Sequence, residues 1–162
     1  MDTLKEIIDD LQAGEDVKRI DLYDSAIGDE EVESLVEALK KNNTVTHLCL
    51  SNNKITVKGA RVLAQFLKDN KTVIEIDLNR NQIDVDGTEC ITEGLKHNNT
   101  VMKINLWDNH VCDEGLWFVA QFLEHNQTVT HLYLGNNKIT FEGGRFISQF
   151  LMNNKTLTVY CS

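Results

Sequence analysis

The sequence predicts an α/β solenoid, with like units stacked in one direction, a parallel sheet on the concave face and helices on the convex face. Two observations carry that reading. First, apolar residues recur every 28 positions. One column is Val17, Val45, Val73, Val101, Val129 and Leu157; the next is Ile20, Leu48, Ile76, Ile104, Leu132 and Tyr160; a third is Leu22, Leu50, Leu78, Leu106 and Leu134. Ser25, Asn53, Asn81, Asn109 and Asn137 follow, then Ile27, Ile55, Ile83, Val111 and Ile139, with no slip of frame over five units. Second, the hydrophobic period changes within each unit from that of a half-buried strand to that of an amphipathic helix.

Taken in order, residues 1–16 lie outside the repeat. Leu4, Ile7, Ile8 and Leu11 have helical spacing, and Gly14 is placed to stop the helix before Val17. A stack of units leaves apolar surface at each end, so this helix is expected to cap the N-terminal end. Residues 17–162 then form one repeat domain of five full units and a partial sixth. In the second unit, Leu48 and Leu50 are expected to point inward and His47, Cys49 and Ser51 outward. The asparagine that follows sits where the chain leaves the strand. Its amide donates and accepts, so it can satisfy backbone groups that stacking buries, and the asparagine column reads as structural.

The second half of the unit is helical. Val62, Leu63, Phe66 and Leu67 recur at spacings of three and four, and Leu35/Leu39, Ile91/Leu95, Val119/Leu123 and Ile147/Leu151 repeat the stripe. Gly59, Gly87, Gly115 and Gly143 stand at the helix entry, where a small residue permits close approach. Asn42, Asn70, Asn98, Asn126 and Asn154 end the helices, where asparagine tolerates the left-handed conformation. Thr44, Thr72, Thr100, Thr128 and Thr156 lead into the next strand. These two columns spell N-x-T five times; the repeat accounts for them as helix-stop residues rather than glycosylation acceptors. The sixth unit begins at Leu157, places Tyr160 at an inward position and leaves its strand at the sheet edge. Such an edge invites pairing, so a homo-oligomer through it, a partner or further sequence is expected to cover it.

The L-x-x-L-x-L-x-x-N-x-I unit with its long helix resembles the leucine-rich repeats of the ribonuclease-inhibitor type, over residues 17–162. Similar repeats occur in ribonuclease inhibitors, the sensor arms of NOD-like receptors, Ran GTPase-activating proteins, tropomodulins and secreted effectors of intracellular bacteria. The resemblance implies a right-handed horseshoe arc and a protein-binding function. It also offers a Ran-type GTPase-activating role as an alternative, although no functional residue of that family maps onto this chain. The wording NNTVTHLCLSNN and NNKIT resembles the bacterial effectors, which would deliver the chain to a host cytosol.

Charge and composition narrow the function further. Residues 1–37 hold 13 acidic and 3 basic side chains, a net of −10, and the remainder has a net of +1. An acidic end argues against nucleic acid, whose phosphates require a basic track. The charged opening MDTLKEIIDDLQAG is unlike a signal peptide, and no apolar run approaches a membrane span. The four cysteines, Cys49, Cys90, Cys112 and Cys161, show no C-x-x-C and suit a reducing compartment; a cytoplasmic location is expected.

Outward residues of successive strands, about 4.8 Å apart, should form columns on the concave face. These are Arg19, His47, Glu75, Lys103, His131; then Asp21, Cys49, Asp77, Asn105, Tyr133; then Tyr23, Ser51, Asn79, Trp107, Gly135, flanked by Asp24, Asn52, Arg80, Asp108 and Asn136. A solenoid requires no particular side chain there. Trp107 and Tyr133, with Lys103, Arg80, His131, Asn105 and Asp108 around them, are therefore the expected binding surface for another protein. Trp117, on the outer helix face, is expected to pack on Phe141 or its own neighbours, or to mark a second contact.

Enzyme chemistry finds little support. Cys49 shares a strand with His47 near Glu75 and Asp77, but residues two apart on a strand are about 6.5 Å apart, beyond the roughly 3 Å of proton transfer. No helix N-terminus points at Cys49, and His47, Cys49 and Asp77 lack metal-ligand spacing. No Gly-rich phosphate loop or G-x-S-x-G occurs. No catalytic residue, cofactor or metal is expected.

Overall fold

A computed structural model of the 162-residue chain describes residues 2–151 and 157–160, with the side chains of Asp2 and Leu151 left aside. Asn154, Thr156 and Cys161, and the Leu151 side chain, lie outside the described residues. Helix α1 (Asp2–Ala13) is followed by five strand–helix units. These are β1 (Arg19–Asp21) and α2 (Asp29–Leu39), β2 (His47–Cys49) and α3 (Val57–Asp69), β3 (Glu75–Asp77) and α4 (Val85–Leu95), β4 (Lys103–Asn105) and α5 (Cys112–His125), and β5 (His131–Tyr133) and α6 (Phe141–Leu151); strand β6 (Thr158–Tyr160) comes last. The strands form one parallel sheet in the order β1-β2-β3-β4-β5-β6. Packed helices need about 8–10 Å between axes and strands about 4.8 Å, so the stack bends with the sheet inside and the helices outside.

The centre of each strand points into one shared interior. Ile20, Leu48, Ile76, Ile104 and Leu132 are at most 2 % exposed and belong to the same core as Leu35, Leu63, Ile91, Val119 and Ile147 from the helices. Leu4 and Leu11 of α1 are buried in that core, and Ile7 and Ile8 pack against it. Gly14, at φ +80°, reverses the chain after α1, and Glu15 N–H donates to Asp10 O at 3.0 Å.

Between β1 and β5 the 28-residue register is kept: Ile20 pairs with Leu48, Leu48 with Ile76, Ile76 with Ile104 and Ile104 with Leu132. The sixth unit departs from it. Leu132 pairs with Val159, and Tyr160 pairs with Tyr133. The spacing there is 27, so Val159 takes the inward place and Tyr160 stands on the outer strand face, 40 % exposed.

The first asparagine column is buried and fully used. The Asn53 amide donates from Nδ2 to Leu22 O (2.8 Å) and Leu50 O (3.0 Å), and its Oδ1 accepts from Ser25 N (3.1 Å) and Ile27 N (2.9 Å). Asn81, Asn109 and Asn137 repeat this, each bridging its own unit to the one before. Ser25 stands where no earlier strand needs such a bridge.

The helix-ending asparagines behave differently from the expectation. None of Asn42, Asn70, Asn98 or Asn126 has a positive φ; Asn70 and Asn126 are extended. Their side chains do the capping. Asn98 Oδ1 accepts from Thr100 N (2.9 Å) and Val101 N (2.8 Å) while Nδ2 donates to Leu67 O (2.7 Å) of the preceding unit. Asn126 does the same with Leu95 O at 3.0 Å. A second asparagine ladder therefore runs along the helix ends, and the amides of Asn98 and Asn126 are only 2 and 3 % exposed. A left-handed column stands instead just after the strands, at Asp24, Asn52, Arg80, Asp108 and Asn136 with φ 50–55°; Ala26, Cys112 and Lys138 are left-handed too, at φ 56–58°.

Carboxylates cap helices across units. Asp29 accepts from Thr56 N (2.9 Å), Thr56 Oγ1 (2.6 Å) and Gly59 N (2.9 Å), tying the start of α2 to the start of α3; Asp113 binds Thr140 in the same way. Burial alone raises the Asp29 carboxyl, but the bonds from Thr56 and Gly59 with the Lys58 charge hold it below its ordinary value. A lowered carboxyl contributes stability that is present above its unfolded value of about 3.9 and is lost as the pH falls through the folded one. Asp29→Asn is thus expected to narrow the stability difference between pH 7 and pH 2.5. Urea titrations at the two pH values check it, and an unchanged difference contradicts it.

Candidate functional site

The strand face carries the expected columns in the expected order. Arg19, His47, Glu75, Lys103 and His131 lie side by side across the sheet, as do Asp21, Cys49, Asp77, Asn105 and Tyr133. Glu75 Oε2 is shared by His47 Nε2 at 3.8 Å and Lys103 Nζ at 3.5 Å. Arg80 Nε reaches Asp108 Oδ2 at 3.4 Å, and Asn136 Nδ2 donates to Asp108 Oδ1. Such exposed pairs add little stability, but they hold long side chains in defined positions. Arg80 does so from a left-handed backbone that its four column mates, all Asp or Asn, adopt more readily.

Trp107 and Tyr133 are both half-buried and part of this face. Each uses the next repeat unit as its floor. An ideal Cβ on Gly135 would fall 2.3–2.6 Å from three atoms of the Trp107 ring, so the indole lies flat across the glycine. The Tyr133 ring stacks on Tyr160 with centroids 4.5 Å apart and planes 6° apart. The Tyr160 half of this pair could not be found with a 28-residue frame, because only the 27-residue step brings it outward. Asn105 Oδ1 accepts from Trp107 N at 3.0 Å, and His131 Nδ1 sits 2.9 Å from Thr130 Oγ1. Lys103, Arg80, Asp108 and these four therefore share one face, with the two rings propped in parallel fashion by their C-terminal neighbours.

Gly135→Ala is expected to lift the Trp107 indole from its floor. In a Trp117→Phe background the emission should shift to the red; unaltered emission contradicts the contact.

Ser51 is a correction. It is only 3 % exposed, with its hydroxyl 3.3 Å from the Cys49 thiol, too small to reach out beside Tyr23 and Asn79 of its column. The Cys49 thiol therefore bonds to Ser51, and His47 to Thr46 and Glu75. The cleft among Arg19, His47, Cys49, Glu75 and Asp77 holds about 20 Å³, far below a substrate pocket. Burial first, then the Glu75 and Asp21 charges, raise the Asp77 carboxyl against the opposing Asn79 N–H and Arg19. Among the described residues no three His, Cys, Asp or Glu converge as a metal site.

On the helix side, Trp117 is 52 % exposed and packs edge-on against Phe118, with centroids 5.1 Å apart at 81°. Phe141 is 79 % exposed; among the described residues it has no ring contact with Trp117. The packing falls to the chain neighbour because Phe141 lies at the first residue of α6, level with Asp113 rather than Trp117 in the repeat.

Comparison with known proteins agrees with this architecture. A family profile described as leucine-rich repeat matches residues 41–64, 69–91 and 125–148. The solved structure of leiomodin-1 actin-binding site 2 superimposes with a TM-score of 0.77 at 24 % identity, covering 93 % of this chain and 88 % of that one. The tropomodulin C-terminal domain of Caenorhabditis elegans superimposes with a TM-score of 0.75 at 15 % identity, covering 93 % and 92 %. No curated protein matches the chain. No helix among the described residues is long and apolar enough to cross a membrane.

Proposed function

We propose that this chain, which carries leucine-rich repeats of the ribonuclease-inhibitor type, captures another protein on its strand face through Trp107 and Tyr133. The observation that carries the reading is the pair of propped rings. Trp107 over Gly135 and Tyr133 over Tyr160 are held in place before any partner arrives, yet remain partly accessible. Rings already fixed lose little conformational freedom on docking, so more of the contact energy appears as affinity. Lys103, Arg80, His131, Asn105 and Asp108 supply a polar rim around them. The leiomodin-1 structure is described as an actin-binding site, which makes actin the first partner to try. Cys49, Cys90 and Cys112 are free thiols, in keeping with a cytoplasmic setting.

The test replaces both rings. Trp107→Ala/Tyr133→Ala is expected to abolish capture of partners from lysate, and of actin if actin is the partner, while the variant, though it melts somewhat lower for the lost ring packing, still unfolds in one cooperative transition above assay temperature. Capture at wild-type level by the folded double variant removes this face from consideration.

A further inference from the structure

We infer that the groove between α2 and α3, on the helix side and away from the strand face, seats a basic segment of a second protein, one that pairs an apolar side chain with Arg or Lys. The groove has a volume of about 430 Å³, within the range of recognition pockets. Its wall is apolar: Val36, Val62 and Phe66, the last two only partly buried. Its rim is acidic, formed by Glu33, Glu37 and Asp69 against the single cation Lys40, which pairs with Glu37. Glu33 and Asp69 have no cation partner among the described residues.

The groove differs from its neighbour at two facing positions of the repeat. Gly94 of α4 sits so close to α3 that an ideal Cβ would lie 2.5 Å from Ala64 O. One unit earlier that position is Phe66, and Ala64 is replaced by Val36. Side chains there hold α2 and α3 apart where glycine lets α3 and α4 close. The charge also changes between the two. The shallower depression between α3 and α4 has Arg61 and Lys68 at its rim against Glu93. Unlike the depression between α3 and α4, the first groove combines an apolar wall with a surplus of carboxylates, two of which, Glu33 and Glu37, belong to the acidic stretch 1–37.

That chemistry specifies the occupant. An Arg or Lys stem lies well along valine and phenylalanine with its charged head at the rim, and an adjacent leucine-sized residue fills the wall. An acidic or purely aliphatic segment would leave Glu33 and Asp69 unanswered.

The probe is a labelled amphipathic helical peptide with Leu at helical spacing, flanked by Arg, followed by fluorescence anisotropy with the full chain. It is expected to bind saturably, to weaken at least tenfold against Glu33→Lys/Asp69→Lys, and to bind Trp107→Ala/Tyr133→Ala as it binds wild type. Glu33 and Asp69 are exposed, so the charge-reversed variant should melt as wild type does. A companion peptide with Glu in place of Arg should not bind. Absence of saturable binding, equal affinity for the reversed variant, equal binding of the Glu peptide, or loss of binding in the strand-face variant each overturns the inference.

Discussion

Asn81→Ala is expected to lower the unfolding free energy by about 2–4 kcal/mol, the scale of buried polar groups left unpaired. Asn81 Oδ1 accepts from Ile55 N at 3.0 Å, and its Nδ2 donates to Leu50 O and Leu78 O at 2.9 and 3.0 Å. Truncation strands the Ile55 N–H in an interior where Ile55 itself has no exposure. The two carbonyls suffer less, because Leu50 O keeps Asn53 and Leu78 O keeps Asn109. In a chain of this size the loss corresponds to a fall in Tm of about 5–15 °C. Asn79→Ala serves as the control. Asn79 is half-exposed with no side-chain hydrogen bond among the described residues, so its replacement should fall within about 0.5 kcal/mol. Equal effects at the two positions, read by urea titration, would remove the ladder from the account of stability.

Gly94→Ala sets two opposing effects against each other. Alanine in a helix interior gains about 1 kcal/mol over glycine. Here its Cβ would lie 2.5 Å from Ala64 O, 2.7 Å from Ala64 Cα and 2.8 Å from Ala64 C, all backbone atoms that cannot swing aside. Forcing two helices apart costs about 1–3 kcal/mol, so the clash wins and the variant should be less stable despite its better helix former. Gly144→Ala supplies the opposite sign. It lies inside α6 with no atom within 4 Å of an ideal Cβ, so the same substitution should stabilise by roughly 0.5–1 kcal/mol. A calorimetric scan of both variants decides the matter, and a stabilised Gly94→Ala contradicts the close approach of α3 and α4.

The fold was legible because a 28-residue period assigns Leu48, Leu50 and Asn53 to the same environments as their counterparts in four other units. Periodicity identifies which residues are equivalent, and the buried asparagines follow from what a stack must satisfy. It says nothing about which atom a side chain bonds. Hence the period puts Asn98 and Asn126 at helix ends without revealing what they do there: their amides reach across units while their own backbone stays out of the left-handed region. The one-residue shortening before β6 is hidden in the sequence because Leu157 and Tyr160 satisfy the apolar pattern nearly as well as Val159 does. Ser51 followed the alternation of its strand, yet a hydroxymethyl group is too short to stay exposed in its column.

The patch on the strand face was legible in part. Alternation put Trp107 and Tyr133 on the open side of the sheet, where they are. Their supports, Gly135 beneath one ring and Tyr160 beneath the other, depend on side-chain direction and on the shortened sixth unit, neither of which spacing encodes.

Hydroxyl-radical footprinting of the chain with and without a captured partner separates the two faces in one experiment, since aromatic side chains on both report together. Trp107, Tyr133 and Tyr160 should lose reactivity in the complex, while Trp117 and Phe141 on the helix side, 52 % and 79 % exposed, should keep theirs. Protection of Trp117 and Phe141 with Trp107 and Tyr133 left reactive would contradict recognition by the strand face.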